Sequence, residues 1–249
     1  MKISIITVCF NSAKTIEKTF QSLQNQTYKN IEYIVIDGHS TDGTQRIIEK
    51  YKDIILKSIS EKDEGLYDAL NKGLALATGD VIGILNSDDI FTNDRVLENI
   101  AKFHSDNNVD ASVSNIVQFN DKGKVIRKYS AKNWSPNKIK IGFMPPHPGI
   151  FFKRILFNKY GGYHLDFLIC ADYELITRFF LKYKISWKFF DITTNSMLIG
   201  GLSSSGLNSY IVVSKEIIKS LTINKINFSS FKIYLRFFWK IIGFFKKKK

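Results

Sequence analysis

Two adjacent carboxylates, Asp88 and Asp89, end the segment NSDD, which directly follows the apolar run at residues 81–85. If that run is a buried parallel strand, the two carboxylates at its end repel each other unless a cation or solvent compensates them. Hard oxygen ligands of this kind suit Mg²⁺ or Mn²⁺ bound together with a diphosphate. The sequence therefore predicts a divalent-metal site, and the alternative is a pair that caps the helix predicted over residues 93–103.

A third carboxylate, Asp172, stands in the segment ICADYEL. It follows an apolar run, and partial burial would raise its pKa toward that of a useful general base. Glu174 competes for this role. The alternative is that Asp172 only caps the helix that begins near it.

A glycine-rich segment, DGHSTDGT, occupies residues 37–44. Its two glycines have the spacing of a P-loop, but Thr44-Gln45 stands where that loop needs Lys and Ser or Thr. A GxGxxG dinucleotide motif, a histidine metal-ligand spacing and a GxSxG nucleophile motif are also absent from the sequence. The segment could alternatively be a turn in which Ser40 or Thr41 is the N-cap of the next helix.

The elements that must position these residues follow from hydrophobic periodicity. Through residue 89, short β-branched runs alternate with stretches of helical period, which predicts a βαβαβαβ order. Such an order gives an α/β fold with a mostly parallel central sheet flanked by helices. Ligands bind beyond the carboxyl ends of such strands. The segments expected to converge there are residues 7–11, 37–44, 60–65 and 86–89.

The second half is less regular. A helix at residues 96–103 leads to a predicted hairpin, ASVSNIVQF and KVIRKYS joined by NDKG. All four prolines lie between residues 136 and 148, which indicates a long irregular loop that contains His147. A helix is expected near Asp172, a strand near residues 187–190, and a flexible joint at residues 200–206.

Composition limits the class of protein. With 249 residues, 44% hydrophobic and 24% charged, the chain is neither a small disulfide scaffold, nor disordered, nor a multi-span membrane protein. Cys9 and Cys170 stand in apolar segments and indicate buried thiols in a reducing compartment. The N-terminus enters a strand-like segment at once, so we expect a cytoplasmic protein without an export signal.

Charge is concentrated near the C-terminus. Of the net charge of +13, residues 207–249 carry +9 and the other 206 residues only +4. Residues 229–245 are rich in apolar side chains and bear a cationic ridge, and four lysines follow. This pattern predicts a helix lying on an anionic membrane surface, and the alternative is a helix packed on the domain or on a second copy in a homo-oligomer. A nucleic-acid partner is disfavoured.

The motifs taken together resemble a known family. SIITVCFN, IEYIVIDGHSTDGT, SEKDEGLYDALNKG, NSDD, HPGIFFKRILFNKYGGY and ADYEL follow one another in the order and spacing of a family 2 glycosyltransferase with the glycosyltransferase A-type fold, of the bacterial polysaccharide and lipopolysaccharide assembly kind. The resemblance spans residues 3–205. It implies an inverting, Mn²⁺- or Mg²⁺-dependent transfer of a hexosyl or N-acetylhexosaminyl group from a nucleotide-sugar donor, most often UDP-linked, to an acceptor hydroxyl.

The resemblance also implies roles for individual residues. Asp88 would face the ribose or the metal, Asp89 would coordinate the metal, and Asp172 would be the base. His147 and Glu174 are further candidates for contact with the acceptor, and the alternative for His147 is that it only orders its loop. A polyprenyl-linked glycan at the inner face of the membrane is the acceptor that the family and the basic tail together suggest. The residues implied in the nucleotide pocket, besides Asp88, are Thr7, Asn11, Asp37, Asp63 and Asn71.

Three departures from the family pattern leave an alternative open. Gly38 replaces a second acid, Asn86 replaces the first acid of the metal motif, and Ala171 replaces an acid before the base. The alternative is a degenerate fold that binds nucleotide-sugar or scaffolds an assembly complex, and a nucleotidyltransferase is less favoured. We expect a catalytic domain over 1–206, with a nucleotide half at 1–94 and an acceptor half at 95–206, and a membrane-associating tail at 207–249.

Overall fold

A computed structural model describes residues 1–120, 123–198 and 206–235, with side chains from residue 209 in the last range. The middle of the NDKG turn, the joint expected at 200–206 except for Gly206, and residues 236–249 of the expected membrane tail lie outside the described residues. Among the described helices, none has the length and apolar character needed to cross a bilayer.

The strands and helices follow one another in the α/β order expected from the sequence. The strands are β1 (Ile3–Cys9), β2 (Ile31–Asp37), β3 (Lys57–Ser60), β4 (Val81–Ile84), β5 (Asp89–Phe91), β6 (Ala111–Phe119), β7 (Val125–Tyr129), β8 (Ile150–Lys153) and β9 (Trp187–Leu198). The α-helices are α1 (Ile16–Gln24), α2 (Thr44–Lys50), α3 (Leu66–Leu76), α4 (Val96–Asn107), α5 (Arg154–Tyr160), α6 (Ala171–Thr177) and α7 (Gly206–Ile223).

One sheet joins the described strands in the order β3-β2-β1-β4-β8-β6-β9-β5, and outside this order β7 pairs with residues 116–119 of β6. The β3-β2-β1-β4 part is parallel throughout, as predicted. Every residue of β1 is buried, which is typical of a parallel strand covered on both faces. The remaining pairs are antiparallel except β6 with β9. The predicted hairpin of β6 and β7 is confirmed.

The chain divides into two compact units. The first comprises Met1–Asn133, Pro145–Tyr163 and Ile185–Ile199 and contains the sheet, and the second comprises Trp134–Met144, His164–Lys184 and Gly200–Lys249. The boundaries of these units differ from the expected domain boundaries at 94 and 206, which stay predictions. In the second unit α6 packs against α7, and Leu221 and Ile233 are fully buried.

Three details differ from the sequence-based expectations. The apolar run at residues 54–59, one of the β-branched runs of the first half, forms a strand only from Lys57, because Ile54 and Ile55 pack against the core from the turn after α2. The strand expected at residues 187–190 continues to Leu198, because β9 pairs first with β6 and then also with β5. The short strand β5 was missed, and it begins at Asp89.

Candidate active site

Asp37, the last residue of β2, is buried, and its carboxylate is surrounded by donors. The main-chain N–H and the hydroxyl of Ser40, the hydroxyl of Ser60 at 2.6 Å and the amide of Gln45 at 3.2 Å all donate to it. The thiol of Cys9 lies 3.6 Å away, and burial raises the pKa of that thiol. Asp37 is therefore held by its own loop, by α2 and by β3.

The loop after β2 is tied to the loop after β1 by Asn11. The side-chain oxygen of Asn11 accepts a hydrogen bond from the main-chain N–H of Thr41 at 3.0 Å. The main-chain N–H of Asn11 donates to the hydroxyl of Ser40 at 2.8 Å. Asn11 adopts a left-handed backbone, with φ of 50°, a conformation that asparagine tolerates better than most residues. The structure thus brings Asn11 and Asp37 into one cluster, as predicted.

Asp42 accepts a hydrogen bond from the first turn of α2. The helix begins after Gly43, and Asp42 Oδ1 accepts the N–H of Thr44 at 3.0 Å. The alternative in which Ser40 or Thr41 is the N-cap is therefore wrong, because Gly43 is the N-cap and the Ser40 hydroxyl bonds Asp37 and Asn11 instead.

Asp63 lies beside Gly38 in the same cluster. A Cβ at Gly38 would lie 2.6 Å from Asp63 Oδ2, so this carboxylate fills the space next to the glycine. The other oxygen, Oδ1, accepts the N–H of Gly65 at 3.0 Å. Residue 38 brings no acid of its own, and Asp63 supplies a carboxylate at that place.

Thr7 and Asn71 are placed differently from these residues. Thr7 is fully buried, its hydroxyl donates to the carbonyl of Leu85 at 2.6 Å and accepts from Tyr33, and it therefore joins β1 to the end of β4. Asn71 exchanges two hydrogen bonds of 2.8 Å with the main chain of Tyr163. Both arrangements favour a positioning role over direct contact with a ligand.

His147 is linked to Asn71 through Tyr163. The hydroxyl of Tyr163 lies 2.9 Å from His147 Nε2, and its ring stacks on Tyr67 with centroids 5.6 Å apart. Burial lowers the pKa of His147 to about 4, so the imidazole is neutral at pH 7. A neutral imidazole can donate or accept a hydrogen bond but carries no charge.

The NSDD segment places two unequal carboxylates after β4. Asp89 is fully buried, the amide of Asn86 donates to its Oδ2 at 3.0 Å, and its Oδ1 has no hydrogen-bond partner among the described residues. Asp88 is partly exposed. Burial raises the pKa of Asp88, and burial together with the charge of Asp88 raises the pKa of Asp89 well above its usual value.

The alternative in which this pair caps a helix is wrong. Asp89 begins β5, and α4 starts only at Val96, after Arg95. The segment is also tied to the first loop, because the hydroxyls of Ser87 and Ser12 lie 2.9 Å apart.

These residues fit a divalent cation. The unpaired buried oxygen of Asp89 and the carboxylate of Asp88 are hard ligands whose repulsion a cation would relieve. No group of three or more Asp, Glu, His or Cys residues suited to a metal occurs in the described ranges. Mg²⁺ and Mn²⁺ need no such group, because one or two carboxylates, water and substrate phosphates complete their coordination.

Asp172 and Glu174 lie in the second unit. The helix α6 begins at Ala171 after Cys170, so Asp172 is in its first turn and is not its N-cap. Asp172 is partly exposed, and its Oδ1 accepts the N–H of Tyr173 at 2.7 Å. Glu174 is buried, with the guanidinium of Arg178 at 2.9 Å and the amide of Asn224 at 3.1 Å. These contacts favour a structural role for Glu174.

Several residues of the cluster were missed by the sequence reasoning. Ser60 reaches Asp37 because β3 pairs with β2, and Gln45 reaches it from the first turn of α2. The contact of Ser12 with Ser87 depends on β4 pairing with β1. The position of Ser60 at the carboxyl end of a parallel strand was the available signal, since such ends meet at one edge of the sheet.

Two proteins with a similar sequence are named as glycosyltransferases. An uncharacterized glycosyltransferase of Mycobacterium tuberculosis is 33% identical over 184 residues, which is 71% of this chain and 68% of the relative. A glycosyltransferase of PGL/p-HBAD biosynthesis from Mycobacterium bovis is 27% identical over 226 residues, 88% of this chain and 83% of its own length.

Solved structures show the same fold. S. aureus TarS 1–349 in complex with UDP-GlcNAc superposes with a TM-score of 0.72 at 20% identity, over 89% of this chain and 66% of that one. The mannosyltransferase PcManGT from Pyrobaculum calidifontis, in complex with GDP-Man and Mn²⁺, gives 0.66 at 19% identity, over 94% and 68%.

The fold thus agrees with what the sequence motifs imply. The family model for glycosyl transferase family 2 matches residues 4–165, which is well over half of the chain. This protein belongs to family 2 of the glycosyltransferases.

Proposed function

We propose that this glycosyltransferase moves a sugar from a UDP-sugar to a hydroxyl of a glycan or polyprenyl-linked acceptor, with inversion, in cell-surface polysaccharide biosynthesis. The observation that carries the proposal is the unpaired buried oxygen of Asp89 beside Asp88. A relative named for PGL/p-HBAD biosynthesis and a similar fold with bound UDP-GlcNAc support the donor and acceptor classes.

The nucleoside would bind at the cluster of Asn11, Asp37 and Asp63. Because five donors already surround the Asp37 carboxylate, its role is to hold the loop. Asp63 is partly exposed and accepts a main-chain N–H at one of its oxygens, so the other oxygen is the better acceptor for a base N–H or a ribose hydroxyl.

Asp88 and Asp89 would hold Mn²⁺ or Mg²⁺. When bound, the ion stabilises the negative charge that develops on the departing diphosphate. The buried position of Asp89 would keep its oxygens fixed, and the partly exposed Asp88 would face the donor.

Asp172 would accept the proton of the acceptor hydroxyl. The acceptor oxygen then forms a bond to the anomeric carbon as the bond from that carbon to the diphosphate breaks, with the electron pair leaving on the diphosphate. A single displacement inverts the anomeric configuration and needs no covalent intermediate on the protein. Glu174 is less suited to this step, because Arg178 occupies its carboxylate.

The expected site of action is the cytoplasmic face of the cell membrane. The basic, apolar residues 229–249 would hold the protein there, beside a lipid-linked acceptor.

Titration calorimetry of UDP with and without Mn²⁺ tests the donor site. We expect Mn²⁺-dependent binding that is strongly weakened in Asp88→Asn and retained in the control Asp53→Asn, which alters an exposed aspartate after α2. If UDP, GDP and dTDP all fail to bind under every metal condition, the proposal is wrong.

Transfer assays test the base. Asp172→Asn should keep UDP binding and lose transfer, whereas Asp166→Asn, which removes an ion pair with Lys219 from the same unit, should keep both. NMR of the product should show the opposite anomeric configuration to the donor. Metal-dependent UDP binding without transfer to any lipid-linked acceptor would favour the nucleotide-sugar-binding alternative.

A further inference from the structure

A shallow cavity of about 460 Å³ lies within the second unit, outside the residues assigned to sugar transfer. Three lysines, Lys140, Lys184 and Lys225, line it together with two asparagines, and its apolar walls include Phe180 and Ile226. Among the described residues that line the cavity there is no acid. A cavity with cationic and amide donors and an apolar wall fits an anion attached to an apolar chain.

The acids of this unit are engaged elsewhere. In its described part, Asp166 pairs with Lys219, Glu174 pairs with Arg178, Asp172 accepts the N–H of Tyr173, and Glu216 accepts the N–H groups of residues 168–170. The three lysines that line the cavity form no ion pair within the described residues, so their charge is available to a ligand.

Two of these lysines adopt a backbone conformation that lysine rarely takes. Lys184 has φ of 49° and Lys225 has φ of 56°, both in the left-handed region where glycine or asparagine is favoured. Each follows the end of a helical segment, Arg178–Lys182 and α7 respectively. A left-handed residue commonly ends a helix, and here both positions lie at the border of the cavity, so each helix end supplies it with a lysine.

Exposed apolar side chains flank these lysines along the chain. Tyr183 precedes Lys184, Ile223 lies two residues before Lys225, and Phe231, 72% exposed, follows six residues later. Exposed aromatic and aliphatic side chains interspersed with lysines are typical of surfaces that lie at a membrane interface.

We propose that the lysine cavity binds the phosphate of an anionic membrane lipid. The cavity accepts one phosphate through Lys140, Lys184 and Lys225, while the apolar wall and the neighbouring exposed side chains contact the acyl region. This lipid-binding site is formed by described residues alone, so it is independent of residues 236–249 and of the donor site. It would serve membrane attachment and not sugar transfer itself.

Vesicle co-sedimentation of the full chain tests this assignment, with phosphatidylglycerol–phosphatidylcholine vesicles compared with phosphatidylcholine alone. The variant Lys184→Asn/Lys225→Asn should bind the anionic vesicles at least about fivefold more weakly for each lysine removed. Asparagine is favoured at both backbone positions, so the variant should fold and unfold at the wild-type temperature or slightly above it. Lys184→Arg/Lys225→Arg should retain binding.

A matched control removes two charges from the first unit. Lys102→Gln/Lys128→Gln, at two exposed lysines, should bind anionic vesicles like the wild type. UDP binding should be unchanged in every variant, so failure of the lipid assignment is distinguishable from failure of the proposed function. Vesicle binding that is unaffected by the lysine changes, or equal in both doubly neutralised variants, would overturn the proposal. Calorimetric binding of inorganic phosphate to the cavity without any effect on vesicle binding would overturn the lipid source.

Discussion

Asp37 and Asp89 are both buried aspartates at the carboxyl-end edge of the parallel strands, yet their surroundings differ sharply. The Asp37 carboxylate is met by two groups of Ser40 and by the side chains of Ser60, Gln45 and Cys9. The Asp89 carboxylate receives one hydrogen bond, from Asn86, and lies near the like charge of Asp88.

The difference separates a carboxylate that the chain itself stabilises from one that it leaves uncompensated. Burying a charge is costly unless hydrogen bonds or an opposite charge offset the loss of water. At Asp37 the offset comes from the fold, which makes the residue a rigid part of the loop. At Asp89 the offset must come from a proton or a cation, and the raised pKa of Asp89 expresses that requirement.

The largest expected effect is on the transfer activity, and it is expected at Asp89. Asp89→Asn removes charge that a bound cation would need, so transfer at fixed Mn²⁺ should fall by about 10²–10³-fold. The measurement is the steady-state rate across a Mn²⁺ titration, with Asp53→Asn as the control. A variant that reaches the wild-type rate at saturating Mn²⁺ and shows an unchanged Mn²⁺ requirement would remove the metal role from Asp89.

The next effect is on the free energy of unfolding. Here the larger loss is expected at Asp37 and not at Asp89. Asp37→Asn replaces acceptors with an amide N–H₂ that faces donors, so we expect a loss of about 2–3 kcal/mol in the free energy of unfolding. In metal-free protein, Asp89→Asn removes an uncompensated buried charge and should leave stability unchanged or raise it. Urea unfolding with a chelator present measures both, and equal losses in the two variants would break the contrast.

The contrast could be predicted only in part from the sequence. The run of alternating strands and helices located Asp37 and Asp89 at the same edge of the sheet, because parallel strands in a βαβ order leave their carboxyl ends together. Adjacent acids after a buried run also predicted a cation. These steps depend on local pattern alone.

The donors around Asp37 could not be predicted in the same way. Gln45 and Ser60 stand eight and 23 residues from Asp37, and which of them faces it depends on strand pairing and on the orientation of α2. The burial of Asp89 follows from β5, a strand of three residues that pairs with β9 over a hundred residues later. No periodicity can be read from three residues.

The pH dependence of stability is a third test of the difference between Asp37 and Asp89. A folded-state pKa above the unfolded value means that the stability linked to Asp89 is present below about pH 4 and is lost as pH rises through the folded pKa. The stability of metal-free wild type relative to Asp89→Asn should therefore decline with rising pH. Excess Mn²⁺ should remove this decline. Urea unfolding at several pH values between 4 and 8 measures it, and a difference that does not change with pH would contradict the uncompensated charge.

The smallest effect concerns the space beside Asp37. A Cβ at Gly38 would lie 2.6 Å from Asp63 Oδ2, so Gly38→Ala should lower the free energy of unfolding by about 1–2 kcal/mol, in the lower part of the range for overpacking. The loss stays modest because Asp63 is partly exposed and can turn away. This rotation of the Asp63 side chain would also move its carboxylate away from the nucleoside site, so UDP affinity should fall as well. In the double variant Gly38→Ala/Asp63→Ala the stability loss at residue 38 should vanish, since the colliding atoms are gone. Additive losses in that cycle would show that Asp63 does not fill the space that Gly38 leaves.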